Sequence, residues 1–133
     1  MENISIDINL DVEVSASAVI AHLRFSNKSS NVQHLDKLTI CYNNKIKNNF
    51  FEVLDKKRNR IAYKGVMMKR DVNPEDFIAI NPSEKIETSI VLDEVYKISK
   101  GHKYYIQYSV FHPTYMDDSG FTKLQSNTVE ITY

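Results

Sequence analysis

"ISIDINLDVEV", Ile4 to Val14, fixes the side-chain period of the chain. Ile4, Ile6, Ile8, Leu10, Val12 and Val14 alternate with Ser5, Asp7, Asn9, Asp11 and Glu13. A period of two gathers the apolar residues on one face of a strand and turns every charge to the other. A helix would scatter the same residues around its circumference. The stretch therefore predicts a first strand over 3–14.

The same period continues along the chain. Val19, Ala21, Leu23 and Phe25 predict a second strand, which "SNKSSN" ends as a loop. Leu38, Ile40 and Tyr42 predict a third. Phe51 and Val53 lead into the polar turn "DKKRNR", and re-entry at Ile61 and Tyr63 predicts a hairpin. Phe77, Ile78 and Ile80 precede the turn "NPSEK", and Ile86, Thr88, Ile90 and Leu92 alternate beyond it. After "SKGHK" come Tyr104, Ile106, Tyr108 and Val110, and the chain closes on Val129, Ile131 and Tyr133. Only "LDEVYKIS" has the makings of a helical turn. Seven to nine short strands separated by regular turns predict an all-β fold, an immunoglobulin-like two-sheet antiparallel β-sandwich, as one domain over 1–133. Tyr104, on a strand that follows a Gly-containing turn, is the candidate for a tyrosine corner.

Composition narrows the function classes. The chain has 133 residues, 42% hydrophobic and 26% charged, the balance of a globular protein with one core. Seventeen basic residues cancel seventeen acidic ones, so the electrostatic footprint of a nucleic-acid binder is missing. No apolar run approaches the ~18 residues of a membrane span, and the N-terminus has neither the basic start nor the apolar stretch of a signal peptide. A cytoplasmic location is the expectation, or a secreted one if a leader has been removed. With a single cysteine, Cys41, no intrachain disulfide can form.

Chemistry-bearing constellations are sparse. No metalloprotease helix pair, nucleophile elbow, P-loop or dinucleotide fingerprint occurs, so no catalytic residue and no cofactor are assigned. His22 falls at an outward strand position. His102 and His112 lie at opposite ends of one predicted strand, too far apart to share a metal. Asp117 and Asp118 would join His112 in a loop site, but "YMDDSG" reads first as turn chemistry, and no metal is expected. Cys41 is out of phase with its neighbours and reads as a small apolar filler. Asn3-Ile4-Ser5 and Asn27-Lys28-Ser29 match the glycosylation triplet, which matters only in a secreted protein.

Charge is segregated. Residues 43–70 carry nine basic side chains against Glu52 and Asp55, and residues 71–94 carry seven acidic ones against Lys85 alone. One reading has these charges solvated and paired across strands, at little energetic consequence. The other makes the basic hairpin a steering surface for an acidic partner. At its end lies "YKGVMMKRDVNPEDF", Tyr63 to Phe77. If 66–70 is a strand, one of Met67 and Met68 must face outward, an adaptable contact beside Lys69 and Arg70. Burial of both through a bulge is the competing account. Tyr63, Lys64, Met67, Met68, Lys69 and Arg70 are the candidate binding residues.

The run from Phe50 to Ser99, followed by "GHKYYIQYSV" and "LQSNTVEITY", resembles the non-catalytic domain that accompanies deuterolysin-type and peptidyl-Lys zinc metallopeptidases. The parts that carry the resemblance are Phe51 to Val53, Tyr63 to Gly65, Lys69-Arg70, Asp76-Phe77, Ile80 to Ser83, Asp93 to Tyr96 and Ser126 to Val129. It covers residues 19–133, and Ser83 stands where that family usually has Gly. The resemblance implies an immunoglobulin-like sandwich that acts as a propeptide, a folding aid and inhibitor held against a catalytic domain. It includes no zinc-binding domain, and so implies binding rather than peptidase activity. A free-standing copy would bind a peptidase in trans, through a strand edge or through Lys64 or Lys69 entering a substrate cleft. A looser likeness to bacterial intracellular proteinase inhibitors points the same way. The expected function is a non-enzymatic protein-binding module, an inhibitor or chaperone-like partner of a peptidase. The alternative is a structural or assembly subunit that forms homo-oligomers or docks through an exposed sheet edge.

Overall fold

A computed structural model describes residues 5–69, 71–116 and 120–133. The described chain holds eight strands: β1 (Ile6–Val14), β2 (Val19–Asn27), β3 (Gln33–Asp36), β4 (Phe51–Asp55), β5 (Phe77–Ile80), β6 (Lys85–Val91), β7 (Lys103–Pro113) and β8 (Phe121–Thr132). All pairings are antiparallel. The strands form three small sheets, β1-β2-β6, β3-β5 and β4-β7-β8. Among the described residues the helical content is three 3₁₀ turns, at Tyr42–Asn44, Pro74–Asp76 and Leu92–Glu94, and no helix is long and apolar enough to cross a membrane.

The alternation read in β1 is physical. Ile8 and Leu10 are buried, Ile6 and Val12 half-buried, and Asp7, Asn9, Asp11 and Glu13 face out. Val14 ends the strand at the surface. Inward residues of β2 (Val19, Ala21, Leu23, Phe25) and of β7 (Tyr104, Ile106, Tyr108, Val110) meet in one hydrophobic cluster that runs from Ile8 to Ile131. Phe25 meets the ring of Tyr108 edge-on at 5.5 Å, and Phe51 meets Tyr108 at 5.7 Å, so faces of two sheets share these rings. Burying a side chain the size of Phe25 contributes roughly 1.5–3 kcal/mol.

Residues 38–42, expected as a strand, are a compact turn. Cys41 N–H donates to Leu38 O and Ile40 N–H to Asp36 O, and Cys41 has φ 58. Ile40 and Cys41 are adjacent and both fully buried, which a strand with one buried face cannot achieve. The turn works as a plug, and its carbonyls are satisfied by side chains. Tyr108 Oη donates to Thr39 O at 2.6 Å, and Thr88 Oγ1 donates to Ile40 O at 3.2 Å. The strand in this region is β3, just upstream. Residues 60–63 also fall short of a strand. They form isolated bridges, Arg60 with Leu54 and Tyr63 with Tyr96.

A β-bulge ties two of the sheets together. Gln107 pairs with Thr128 and Ser109 with Gln125, so Tyr108 alone faces both Ser126 and Asn127. Tyr108 N–H donates to Ser126 Oγ at 3.0 Å in place of a carbonyl. Asn127 is thereby aimed at β1, where its amide imitates a strand. Leu10 N–H donates to Asn127 Oδ1 at 2.8 Å, and Asn127 Nδ2 donates to Leu10 O at 2.9 Å.

Candidate functional site

The segment from Tyr63 to Lys69 is not a strand but an extended crossing held at both ends. Lys64 N–H donates to Val95 O at 2.8 Å, and Met68 N–H donates to Lys47 O at 2.8 Å. Tyr63 lays its ring against Tyr96 (centroids 5.2 Å apart) and donates its hydroxyl to Val66 O. That contact needs Gly65, because a Cβ there would lie 2.6 Å from the Tyr63 hydroxyl. Tyr96 is anchored in turn: its hydroxyl accepts from Phe51 N–H at 3.0 Å and donates to Asn49 Oδ1 at 2.6 Å. Burial pushes the Tyr63 and Tyr96 phenols above their ordinary value, so both stay neutral donors.

Outward from this anchor stand Val66, Met67 and Met68, 60%, 67% and 41% exposed. Both methionines face solvent, so neither the one-in, one-out strand nor the bulge that buries both describes them. Lys64 and Lys69 are exposed beside them, while Arg70 lies outside the described residues. Met68 roofs a cleft of about 250 Å³ with Lys37, Leu38, Glu75 and Asp76. The exit turn Pro74–Asp76 is closed by a capping box: Asn73 N–H donates to Asp76 Oδ2 at 2.9 Å, and Pro opens the turn. Tyr63, Lys64, Met67, Met68 and Lys69 thus form one surface strip, with Tyr63 as its root.

The other sequence candidates separate. His22 is a cross-strand surface residue, Nδ1 at 2.8 Å from Ser89 Oγ and Nε2–H donating to Glu13 at 3.1 Å. His112 is buried, and its Nε2 accepts from Asp36 N–H at 2.8 Å. Asp117 and Asp118 lie outside the described residues, and no group of three or more potential metal ligands occurs among the described ones. Cys41 is enclosed, and burial pushes its thiol up to about 12, which denies it thiolate character at neutral pH. The basic and acidic blocks do not neutralise each other in the ion pairs of the described residues. Arg60 pairs with Glu52 inside the first block, and Glu87 takes Lys85 and Arg24.

Two features escaped the sequence reading. Phe111 and Phe121 face solvent near the far end of the β7–β8 hairpin, as does Met116 in the connection. Their signal was available for Phe111, which is out of phase with Tyr104 to Val110. The second is the structural role of Asn27, read above only as part of a glycosylation triplet but fully buried at the end of β2. Its Nδ2 donates to Asn31 O (2.8 Å) and Ile80 O (2.9 Å), and its Oδ1 accepts from Ser29 N–H (3.0 Å) and Ser29 Oγ (2.7 Å). The amide is saturated, so the Asn27-Lys28-Ser29 triplet is closed to modification in the folded protein. Asn3 of the other triplet lies outside the described residues. No protein-family profile and no curated protein matches the chain.

Proposed function

We propose that the chain is a non-enzymatic protein-binding module, an immunoglobulin-like sandwich that engages a peptidase through the 63–69 strip. One observation carries this reading. Val66, Met67 and Met68 present contiguous apolar surface on a backbone fixed at both ends, at Lys64 and Met68, with Lys64 and Lys69 beside them. Pre-ordered backbone lowers the entropic cost of docking, and methionine adapts to a partner's contours. A lysine on such a strip suits insertion into an acidic substrate cleft.

The sandwich reading draws support from the core rings shared between β2 and β7, and from Tyr104. The Tyr104 hydroxyl accepts from Ser99 N–H at 2.9 Å, a tie to backbone a few residues upstream that fits a tyrosine corner. Assembly through a sheet edge has less in its favour. The β1 edge is met by Asn127, Ser89 N–H on β6 donates to Asn44 Oδ1 at 2.8 Å, and Ile61 N–H occupies Val53 O on β4. Bonds of this kind blunt an edge against added strands.

Inhibition assays against deuterolysin-type and serine peptidases test the proposal, with Lys64→Ala, Lys69→Ala and Met67→Ser/Met68→Ser as variants. Inhibition that weakens in these variants is expected. Full peptidase activity at saturating protein, together with no complex by size-exclusion chromatography with light scattering, removes the inhibitor reading. A defined oligomer in the same chromatogram would favour the assembly reading instead.

A further inference from the structure

At the end of the molecule where the 55–60 turn meets the 99–103 turn, a cleft of about 800 Å³ opens between Lys56, Lys57 and Lys103, floored in part by Ile61 and Tyr104. We propose that this cleft binds an acidic peptide segment, as a second site distinct from the 63–69 strip. Its positive charge is compensated only in part, because the ionised Asp55 in the lining acts coulombically on Lys57. Among the described residues, neither Lys56 nor Lys57 lies within ion-pair distance of a carboxylate, and Lys103 meets Glu130 only at 3.7 Å in an exposed pair. Exposed pairs exchange at little cost. Asp55, the acid lining the cleft, is committed to shaping the turn. Its Oδ1 accepts from Lys57 N–H at 2.8 Å and from Asn59 N–H at 2.9 Å.

Size and the state of the aromatic rings choose the class of ligand. A cleft of this volume suits a ligand larger than a single phosphate. Two of the nearby rings that a nucleobase would stack upon carry cations: Arg58 sits 3.8 Å over Tyr105, and Lys100 sits 5.8 Å over Tyr133. The third, His102 in the lining, meets Tyr104 edge-on at 6.4 Å. Tyr104 is 3% exposed, so only a sliver of it reaches the floor, too little for a base to stack upon. What remains is a basic rim over an apolar floor, which fits an extended chain alternating carboxylates with aliphatic side chains.

A fluorescein-labelled peptide of alternating Glu and Val tests this by fluorescence anisotropy on the full chain. Binding is expected that weakens with salt and falls by about tenfold or more in Lys56→Glu/Lys57→Glu/Lys103→Glu. Lys64→Ala/Lys69→Ala, outside the cleft, is expected to bind within about twofold of the parent. Amide shifts in the unaltered protein provide a check independent of variant folding, and the peptide must move Ile61 and residues 99–103. Absence of binding, undiminished binding by the charge-reversed protein, shifts confined to other regions, or tighter binding of a single-stranded oligonucleotide would each overturn the proposal.

Discussion

Replacing Asn127 with alanine removes both hydrogen bonds that join β8 to Leu10 of β1. Each bond contributes about 0.5–1.5 kcal/mol net, and an unsatisfied buried group costs about 1–3 kcal/mol. Leu10 is 2% exposed while Asn127 covers it, and both bonds are half-buried, so water replaces them only in part. A loss of about 2–3 kcal/mol follows, a large share of a typical stability of about 5–15 kcal/mol. With a urea dependence of about 2 kcal/mol per molar, the midpoint should fall by about 1–1.5 M. The Leu10 amide should also exchange its proton faster than those of β2. Asn127→Asp sharpens the test, since it keeps the acceptor for Leu10 N–H but sets a carboxylate against Leu10 O. It should be nearly as damaging at neutral pH and recover stability in acid, where the protonated carboxyl donates. An Asn127→Ala stability within about 0.5 kcal/mol of the parent would refute the claim that this side chain closes the β1 edge.

Two further outcomes follow from buried groups. Cys41 is neutral to about pH 12 when folded, against an ordinary value of 9.0, so the unfolded thiol ionises first. Stability should therefore be full below pH 9 and decline towards pH 12, by up to about 1.4 kcal/mol per pH unit from this group. The Tyr96 and Tyr108 phenols, also raised by burial, add to the decline above 10. Urea titrations across alkaline pH should show a shallower decline between pH 9 and 10 for Cys41→Ala, and an unchanged slope would contradict the burial. Gly65→Ala drives a methyl into the Tyr63 hydroxyl, and should cost about 1–2 kcal/mol and alter the near-ultraviolet tyrosine dichroism. Unaltered dichroism would mean that the ring does not rest on Gly65.

Long alternating runs were legible because their period matches the geometry of a half-buried strand. The strands β1, β2, β6 and β7 fall on the runs Ile4 to Val14, Val19 to Phe25, Ile86 to Leu92 and Tyr104 to Val110, except that Leu92 opens a 3₁₀ turn and residues 3 and 4 lie outside the described residues. Short runs were not. Leu38, Ile40 and Tyr42 alternate over too few residues to exclude a turn, and the left-handed backbone of Cys41, Asn43 and Asn44 is set by tertiary contacts. The exposure of Met67 and Met68 was partly readable, because an outward methionine was expected on a strand. Their shared outward position depends on the Lys47 carbonyl, which sequence spacing does not bring near. Asn127 and Asn27 were invisible for a related reason. Each acts on backbone brought close only by the fold, across 117 and 53 residues of chain in the bonds to Leu10 and Ile80.

The saturated amide of Asn27 bears on how the chain can be made. An oligosaccharyltransferase acts on emerging polypeptide, before β2 has found β6 and before the side chain is hidden. A sugar attached at that moment would replace one of the two N–H protons that must reach Asn31 O and Ile80 O, and Asn27 is fully buried in the folded chain. Production through a eukaryotic secretory route would thus divide the product into a folded, unmodified population and a glycosylated one barred from the native state. Asn27→Gln would not rescue the yield, because the longer side chain misplaces the same four bonds.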